Sequence, residues 1–385
     1  MAGTPKLKSA FERPVHFKIE PIPEATGART LAARAAPRLG ILDSFSGTFV
    51  GSGFNTIFRP QNPLTPTPLP IPAPSSNNIL ELNLTAETLS FSDSLGDVPN
   101  RGSVMGDIHL NGVPYLQTVS DVNDPTNPIG IHFEPGLWLA VPATTVPSEV
   151  ATLVRMASIP HGTTIEAQGA APGPAPLPGR PVIPPVDITP FTIAAHAFIR
   201  FPSQIAGRPD TPRIPQDLAP FIAAGSITQV RLDDPNSLLR DHITAQNIVL
   251  TTTFTVDTKP AAPIFGGGTD NIAFLKGDAA GVAPNADAVE MTATFWVETV
   301  QETIAMPPTK AGHTVIVPGK PGIPGQKVPS FAVTPAADVV ATKSVSVTWT
   351  QIQYSQVVNL NFQALTWPHA SVATLVPKDP VVVHI

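Results

Sequence analysis

The sequence predicts an all-β protein, built as one antiparallel up-and-down β-barrel of about ten strands with long proline-rich insertions. Three observations support this fold class. The periodic segments alternate apolar and polar residues with a period of two, the repeat of a half-buried strand. No sustained amphipathic helix competes with them. The 385 residues include 47 prolines, more than twice the usual share of roughly 5%, so long helices cannot dominate.

The alternation places the strands along the chain. Residues 248–256 show it best, with apolar side chains at even positions and threonines at most odd ones. Residues 129–141 carry an apolar face at odd positions and a chemically mixed face at even positions. In residues 345–365 the apolar parity changes near Thr350, which predicts a β-bulge or a bend there. Further strands are predicted over residues 45–58, 80–85, 107–119, 150–158, 193–201, 227–232 and 291–297.

Proline-rich segments lie between the predicted strands. Proline lacks the N–H group that a strand ladder needs, so these segments are expected to be loops or arms outside the barrel. Residues 1–44 are predicted as an N-terminal arm, and residues 45–385 as a single barrel domain. Short helices are predicted over residues 30–38 and 237–244. The predicted insertions lie near residues 60–76, 170–225 and 305–335.

Composition excludes several classes of function and location. Charged residues are only 14% and the net charge is −6, so nucleic-acid binding is not expected. The absence of cysteine excludes disulfides, thiolate metal sites and cysteine nucleophiles. No apolar run reaches the roughly 18 to 20 residues of a membrane helix, and residues 1–38 lack the apolar stretch of a signal peptide. We therefore expect a cytoplasmic protein without membrane insertion, and its low charge favours a homo-oligomer.

Three histidines are the candidate functional residues. His132 and Glu134 occupy positions i and i+2 of a predicted strand, so both side chains face the same side, with Trp138 further along it. They form either a hydrogen-bonded acid/base pair or a polar row facing solvent. His161 is expected in a hairpin turn. His369 follows the long strand of residues 345–365 and stands where it could act as a ligand at the barrel rim.

Several short segments, taken in order, resemble nitrobindin-type heme-binding barrels, which are relatives of the lipocalin and fatty-acid-binding folds. Two positions depart from the family pattern, because Phe49 stands where the family usually has Trp and Ala370 follows the histidine in place of Leu. The segments that carry the resemblance are 47–54 (GTFVGSGF), 114–117 (PYLQ), 132–138 (HFEPGLW), 153–155 (LVR), 160–162 (PHG), 166–169 (EAQG) and 353–356 (QYSQ), followed by His369.

The first functional hypothesis is that the barrel binds an apolar small molecule, because a ten-stranded barrel has a lumen that side chains fill less easily. The resemblance implies heme as the first candidate cofactor, with His369 as the ligand of the heme iron. Tyr354 and Trp367 are then expected near the porphyrin.

Two alternatives stay open at this stage. The first is a metal-free enzyme that acts on an isoprenoid-like or polyketide-like substrate in the same cavity, with His132 and Glu134 as acid/base groups. The second is a structural, self-assembling protein whose proline-rich arms reach neighbouring subunits. The sequence does not decide whether the protein is an enzyme.

Overall fold

The computed structural model describes residues 37–271, 285–323 and 325–385. The predicted arm therefore lies outside the described residues except for its last part, and so does most of the helix predicted over residues 30–38. The short 3-10 helix Gly40–Ser44 precedes the first strand.

Ten antiparallel strands form a closed barrel, which confirms the predicted fold class. Each strand pairs with the next one along the chain, and β10 pairs with β1. This order is that of an up-and-down barrel. The strands are β1 (Gly47–Pro60), β2 (Asn78–Phe91), β3 (Ile108–Asp121), β4 (Ile129–Val141), β5 (Thr152–Ser158), β6 (Thr163–Ala170), β7 (Asn247–Asp257), β8 (Asp287–Met306), β9 (Lys343–Phe362) and β10 (Leu365–Pro377).

The barrel closes at a narrow seam between β6 and β7. Only Gln168 and Asp257 are paired across it, and the short strand Gly268–Asn271 continues the ladder on β6. A Cβ atom at Gly169 would overlap the carbonyl oxygen of Thr255 on β7. Glycine at this position therefore permits the two strands to approach closely.

The remaining elements lie in the connections between barrel strands, except for Val381–His384, which follows β10. Residues 171–246, here called the β6–β7 insertion, contain the helices α1 (Ala219–Ala223), α2 (Gln229–Asp233) and α3 (Ser237–Thr244) and the 3-10 helix Pro202–Gln204. A separate three-stranded sheet is formed by Val315–Pro318, Ser330–Thr334 and Val381–His384. The other short strands are Val98–Asn100, Thr144–Thr145, Ser148–Glu149, Leu177–Pro178, Phe191–Thr192 and Arg213–Ile214.

Two hydrophobic clusters lie on opposite sides of the barrel wall. The lumen cluster contains Phe49, Trp138, Phe254 and Phe295 and fills one end of the barrel interior. The outer cluster joins the other face of the wall to the insertions. It includes Phe54, Leu80, Leu82, Trp296 and Trp349 from the barrel, together with Leu218, Ile227, Leu239 and Phe331 from the insertions. Both faces of several strands are therefore buried.

This double burial corrects the bulge that was predicted near Thr350. The pairing of β9 with β8 runs without interruption through that residue, and the register shift lies at Ala288/Glu290 instead. Val345 and Val347 pack in the outer cluster, whereas Ile352 and Tyr354 belong to the lumen cluster. The apolar parity changes because the buried face changes, not because the strand is irregular.

Two predicted strands are wrong. Residues 227–232 lead into α2 (Gln229–Asp233), since a short apolar run fits a helix as well as a strand. Residues 193–201 contain no strand, and a turn with a positive φ of 55° at His196 folds this segment back on the two-residue strand Phe191–Thr192. The helix predicted over residues 237–244 is confirmed as α3. None of the helices in the described ranges has the length and apolar character required to cross a bilayer.

Candidate functional site

One end of the barrel lumen is closed by aromatic side chains. Phe254 stacks on Phe295 with ring centroids 5.3 Å apart, and Trp138 packs edge-on against both rings. Phe45 stacks on Phe91 at 4.7 Å. Leu42 of the 3-10 helix Gly40–Ser44 is fully buried in the same cluster. Aromatic side chains therefore pack this half of the lumen.

Arg155 on β5 marks the change from the aromatic half to a polar half. Its guanidinium lies 5.7 Å from the Phe295 ring centroid and 5.9 Å from that of Trp138. On its polar side, Nη2 donates to Glu134 Oε1 at 2.6 Å and Nη1 donates to Gln356 Oε1 at 2.6 Å. A buried arginine that is hydrogen-bonded on one side and covered by rings on the other is held in a single orientation.

Glu134 is fully buried and receives three hydrogen-bond donors. Arg155 and the Tyr115 hydroxyl both donate to its Oε1, and His132 Nε2 lies 3.0 Å from its Oε2. Burial alone would raise the pKa of Glu134, but the charge of Arg155 and the hydrogen bonds from His132 and Tyr115 outweigh it and lower the pKa to about 2. The carboxylate is therefore ionised and accepts the N–H of His132.

Three histidines meet at the polar end of the lumen. His132 comes from β4, His161 from the β5–β6 hairpin turn, and His369 from β10. The rings of His132 and His161 are edge-to-face with centroids 5.0 Å apart. Burial lowers the pKa of His161, and a positive charge on His132 would lower it further, against the raising effect of Glu134. The three imidazoles come from separate parts of the sequence, and the closed barrel brings them together.

His369 is neutral and already has a hydrogen-bond partner. Its Nε2 lies 2.7 Å from Nδ2 of Asn55 on β1, which also donates to Ser371 Oγ at 2.8 Å. An amide nitrogen only donates, so Nε2 is the acceptor and carries no proton. Burial, with smaller contributions from His132 and His161, lowers the pKa of His369 to about 3.

A second buried carboxyl, Glu87 on β2, lies in the same half of the lumen. The Tyr354 hydroxyl donates to its Oε2 at 2.6 Å, and Thr85 Oγ1 donates to its Oε1 at 2.8 Å. Gln117 Nε2 is 3.0 Å from the Tyr354 hydroxyl oxygen. Burial raises the pKa of Glu87, against the lowering effect of these hydrogen bonds. The two lumen carboxyls are thus shifted in opposite directions.

Two adjoining cavities occupy the polar end. The inner cavity has a volume of about 160 Å³, and most of the residues that line it are polar. The mouth cavity has a volume of about 390 Å³ and a more apolar lining that includes Ile159, Ile165 and Val358. His132, His161, His369, Gln356 and Ile57 line both cavities. The histidine side chains therefore lie where the two cavities meet.

Five of the six candidate residues from the sequence lie in this region, His161 among them. His132 and Glu134 point into the lumen, so the inward orientation holds and the solvent-facing row does not. Tyr354 and His369 line the inner cavity. Trp367 lies elsewhere: it is fully buried against Phe58, Phe201 and Phe362 and lines neither cavity.

Sequence reasoning missed Glu87, Gln117, Arg155, Gln356 and Asn55. Their signal was the polar half of the alternation, such as Asn83, Thr85 and Glu87 at odd positions of β2. That face lines the lumen, whereas the leucines between them face the outer cluster. Within the described residues, no group of three histidine or carboxylate side chains is arranged to hold a metal ion.

Comparisons with known proteins do not assign a family. No protein-family model matches the sequence. No curated protein matches it either. Among solved structures, the crystal structure of Rv2717c from M. tuberculosis matches 90% of this chain and 99% of its own, with a TM-score of 0.33 and 9% identity. A likeness at this level carries no argument, so the fold rests on the strand pairing itself.

Proposed function

We propose that the protein binds a small molecule at the polar end of its barrel, with an apolar body in the mouth cavity and a polar group in the inner cavity. One observation carries the proposal: the aromatic half of the lumen is packed, whereas the opposite half contains two joined cavities. The mouth cavity, at about 390 Å³, lies within the roughly 300 to 1,000 Å³ that is usual for ligand pockets.

The lining sets the chemistry of the ligand. Arg155 and Glu134 neutralise each other, and His369 is uncharged at neutral pH because its pKa is lowered to about 3. Two carboxyls also line the inner cavity, Glu81, which forms an ion pair with Arg59, and Glu87, whose pKa burial raises. The other polar side chains there are amides, hydroxyls and imidazoles such as Gln356, Ser371 and His161. These groups recognise a neutral hydrogen-bonding function such as a carbonyl or a hydroxyl.

A neutral fluorescent dye, Nile red, tests the binding site. We expect the protein to bind it with a rise and blue shift in fluorescence, because the dye enters an apolar environment. Val358→Trp should weaken binding at least tenfold, since Val358 lines the mouth cavity and the larger ring fills it. Met156→Trp is the matched control, because Met156 is exposed on the outside of β5. Equal binding by both variants would place the dye elsewhere and reject the site.

Heme is the ligand that the family resemblance suggests, and the described residues do not fit it well. An iron ligand needs a histidine nitrogen with a free lone pair, but His369 Nε2 accepts a hydrogen bond from Asn55 at 2.7 Å. Trp367, the other expected neighbour, does not line the cavities. Heme therefore has no part in the function proposed for this site.

Titration with hemin tests this disagreement. We expect that hemin added to the wild-type protein gives no Soret shift that the His369→Ala variant would abolish. Asn55→Ala is the informative partner variant, because it keeps the histidine and removes the competing donor. A Soret shift in wild-type protein that disappears in His369→Ala would establish iron ligation and overturn the conclusion that the site does not fit heme.

A further inference from the structure

His132 has the surroundings of a catalytic base. Its Nε2 hydrogen bonds to Glu134 Oε2 at 3.0 Å, and its side chain is 19% exposed whereas that of Glu134 is fully buried. Because the ionised carboxylate only accepts, the proton of the neutral imidazole is held on Nε2, and Nδ1 keeps its lone pair. His132 lines both cavities, so this basic nitrogen belongs to a side chain that a ligand can reach.

Hydrogen bonds on the side away from His132 hold the Glu134 carboxylate in place. Arg155 and Tyr115 donate to the oxygen that does not contact His132, and Gln356 fixes a further guanidinium nitrogen of Arg155 at 2.6 Å. The chain of contacts runs from the aromatic cluster through Arg155 and Glu134 to His132. Such an arrangement sets the tautomer of a histidine and stabilises the imidazolium that forms when it takes a proton.

We propose that this site catalyses proton transfer, with His132 as the general base and Glu134 as its positioning residue, on a small apolar molecule that carries a carbonyl next to a C–H group. The proposal rests on the proposed function, since the substrate occupies the same two cavities. It adds turnover to binding.

The step is balanced without an oxidant or a metal ion. His132 Nδ1 takes the proton of the carbon next to the carbonyl, and the C–H electron pair forms a carbon–carbon double bond. The carbonyl π pair moves to the oxygen, where an amide such as that of Gln356 can donate a hydrogen bond. The imidazolium then returns its proton to the same carbon or to a conjugated one, which gives exchange or isomerisation.

The probe reaction is the ring opening of 5-nitrobenzisoxazole. A base removes the proton at C3, the C–H pair forms the nitrile, and the N–O bond breaks to leave a coloured phenolate. The compound is small, neutral and apolar, so it suits the mouth cavity. We expect saturable turnover by the whole protein. His132→Gln should lower kcat about 100-fold or more, since general bases contribute roughly 10²- to 10⁴-fold.

The chain offers a matched control in a second histidine–carboxylate pair. His109 Nδ1 lies 2.6 Å from Asp97 Oδ1, and neither residue lines the two cavities. His109→Gln should leave turnover unchanged. Glu134→Gln should lower kcat with little change in KM, because it disturbs the tautomer of His132 and not the cavity walls. If Glu134→Gln does not fold, His132→Gln and His109→Gln still decide the proposal.

Nile red binding is measured on the same samples, so that the two proposals fail separately. Dye binding without saturable turnover, or turnover that survives in His132→Gln, would reject proton transfer by His132 and leave ligand binding standing. Absence of dye binding would reject the proposed function. Turnover lost in His132→Gln with dye binding retained supports both proposals.

Discussion

Glu298 on β8 is a buried carboxyl outside the ligand site. Its Oε2 accepts a hydrogen bond from Gln351 Nε2 at 2.6 Å, while its Oε1 has no partner among the described residues. Gln351 is bonded in turn to Gln246 at the end of the β6–β7 insertion. Burial raises the pKa of Glu298 to about 8, against the lowering effect of Gln351. The folded protein therefore holds a proton here at neutral pH.

The raised pKa makes stability depend on pH. The unfolded carboxyl loses its proton near its ordinary pKa of 4.5 and the folded one near 8, so unfolding releases a proton between these values. The free energy of unfolding should therefore fall as pH rises, by up to about 1.4 kcal/mol per pH unit from this group. Glu298→Gln should remove this fall. The free energy of unfolding of the variant, relative to that of wild type, should therefore rise from pH 5 to pH 8.

Urea unfolding of both proteins at pH 5 and pH 8 measures this difference. Glu166→Gln is the control, because Glu166 is exposed on the outside of β6 and its loss should not change the pH dependence. A constant difference between wild type and Glu298→Gln at both pH values would show that Glu298 is ionised in the folded state.

The contact between His132 and Glu134 shows what residue spacing alone can predict. The i, i+2 spacing placed His132 and Glu134 on one face, and the structure confirms that they share it. Their partner Arg155 stands on the next strand, and Gln356 on a strand 201 positions away. Such contacts depend on strand register and barrel closure, which a period-two pattern does not specify.

At the scale of the element, the seam between β6 and β7 is the weakest part of the barrel wall. Its strands are paired at one position, Gln168 with Asp257, and Gly169 allows the close approach to Thr255. Gly169→Ala should lower the free energy of unfolding by about 1–3 kcal/mol, the usual cost of overpacking, because the added methyl group forces the strands apart.

Gly130→Ala is the matched control for the seam. Gly130 also lies in a barrel strand, and a Cβ atom there would meet nothing within 4 Å. Urea unfolding should show a loss for Gly169→Ala only, and hydrogen exchange should show faster exchange in β6 and β7. If both variants lose the same stability, the effect comes from strand glycines in general and not from the seam.

The alternation located strands even where it did not give the buried face, as in β7, where Ile248 packs in the outer cluster and Phe254 in the lumen cluster across a register shift. Residues 248–256 and 129–141 were predicted within one or two residues of β7 and β4. The strand over residues 345–365 was also predicted, as β9, but the irregularity predicted near Thr350 does not appear in its pairing, because the outer cluster adds a second apolar face to the pattern. The prediction failed over residues 227–232, where the apolar side chains Ile227 and Leu232 serve the outer cluster from α2 and its approach.

At the scale of the whole molecule, the insertions cover apolar side chains on the outer wall of the barrel. Residues that a simple barrel would expose on its outer wall, such as Phe54, Leu80 and Trp296, are buried under the insertions. Part of the surface that the proline-rich insertions cover is therefore the barrel itself. Self-association and an assembly role stay predictions from composition.

The aromatic cluster at the closed end of the lumen also limits how a molecule bound at the other end would enter and leave. Since Phe45, Phe49 and Phe91 pack beneath Leu42 at the closed end, a ligand would both bind and dissociate through the polar end. A competing ligand could not displace the bound one from the closed end, so dissociation would have to precede exchange. The lifetime of such a complex would then be set by its own dissociation rate, and competitors in solution would not shorten it.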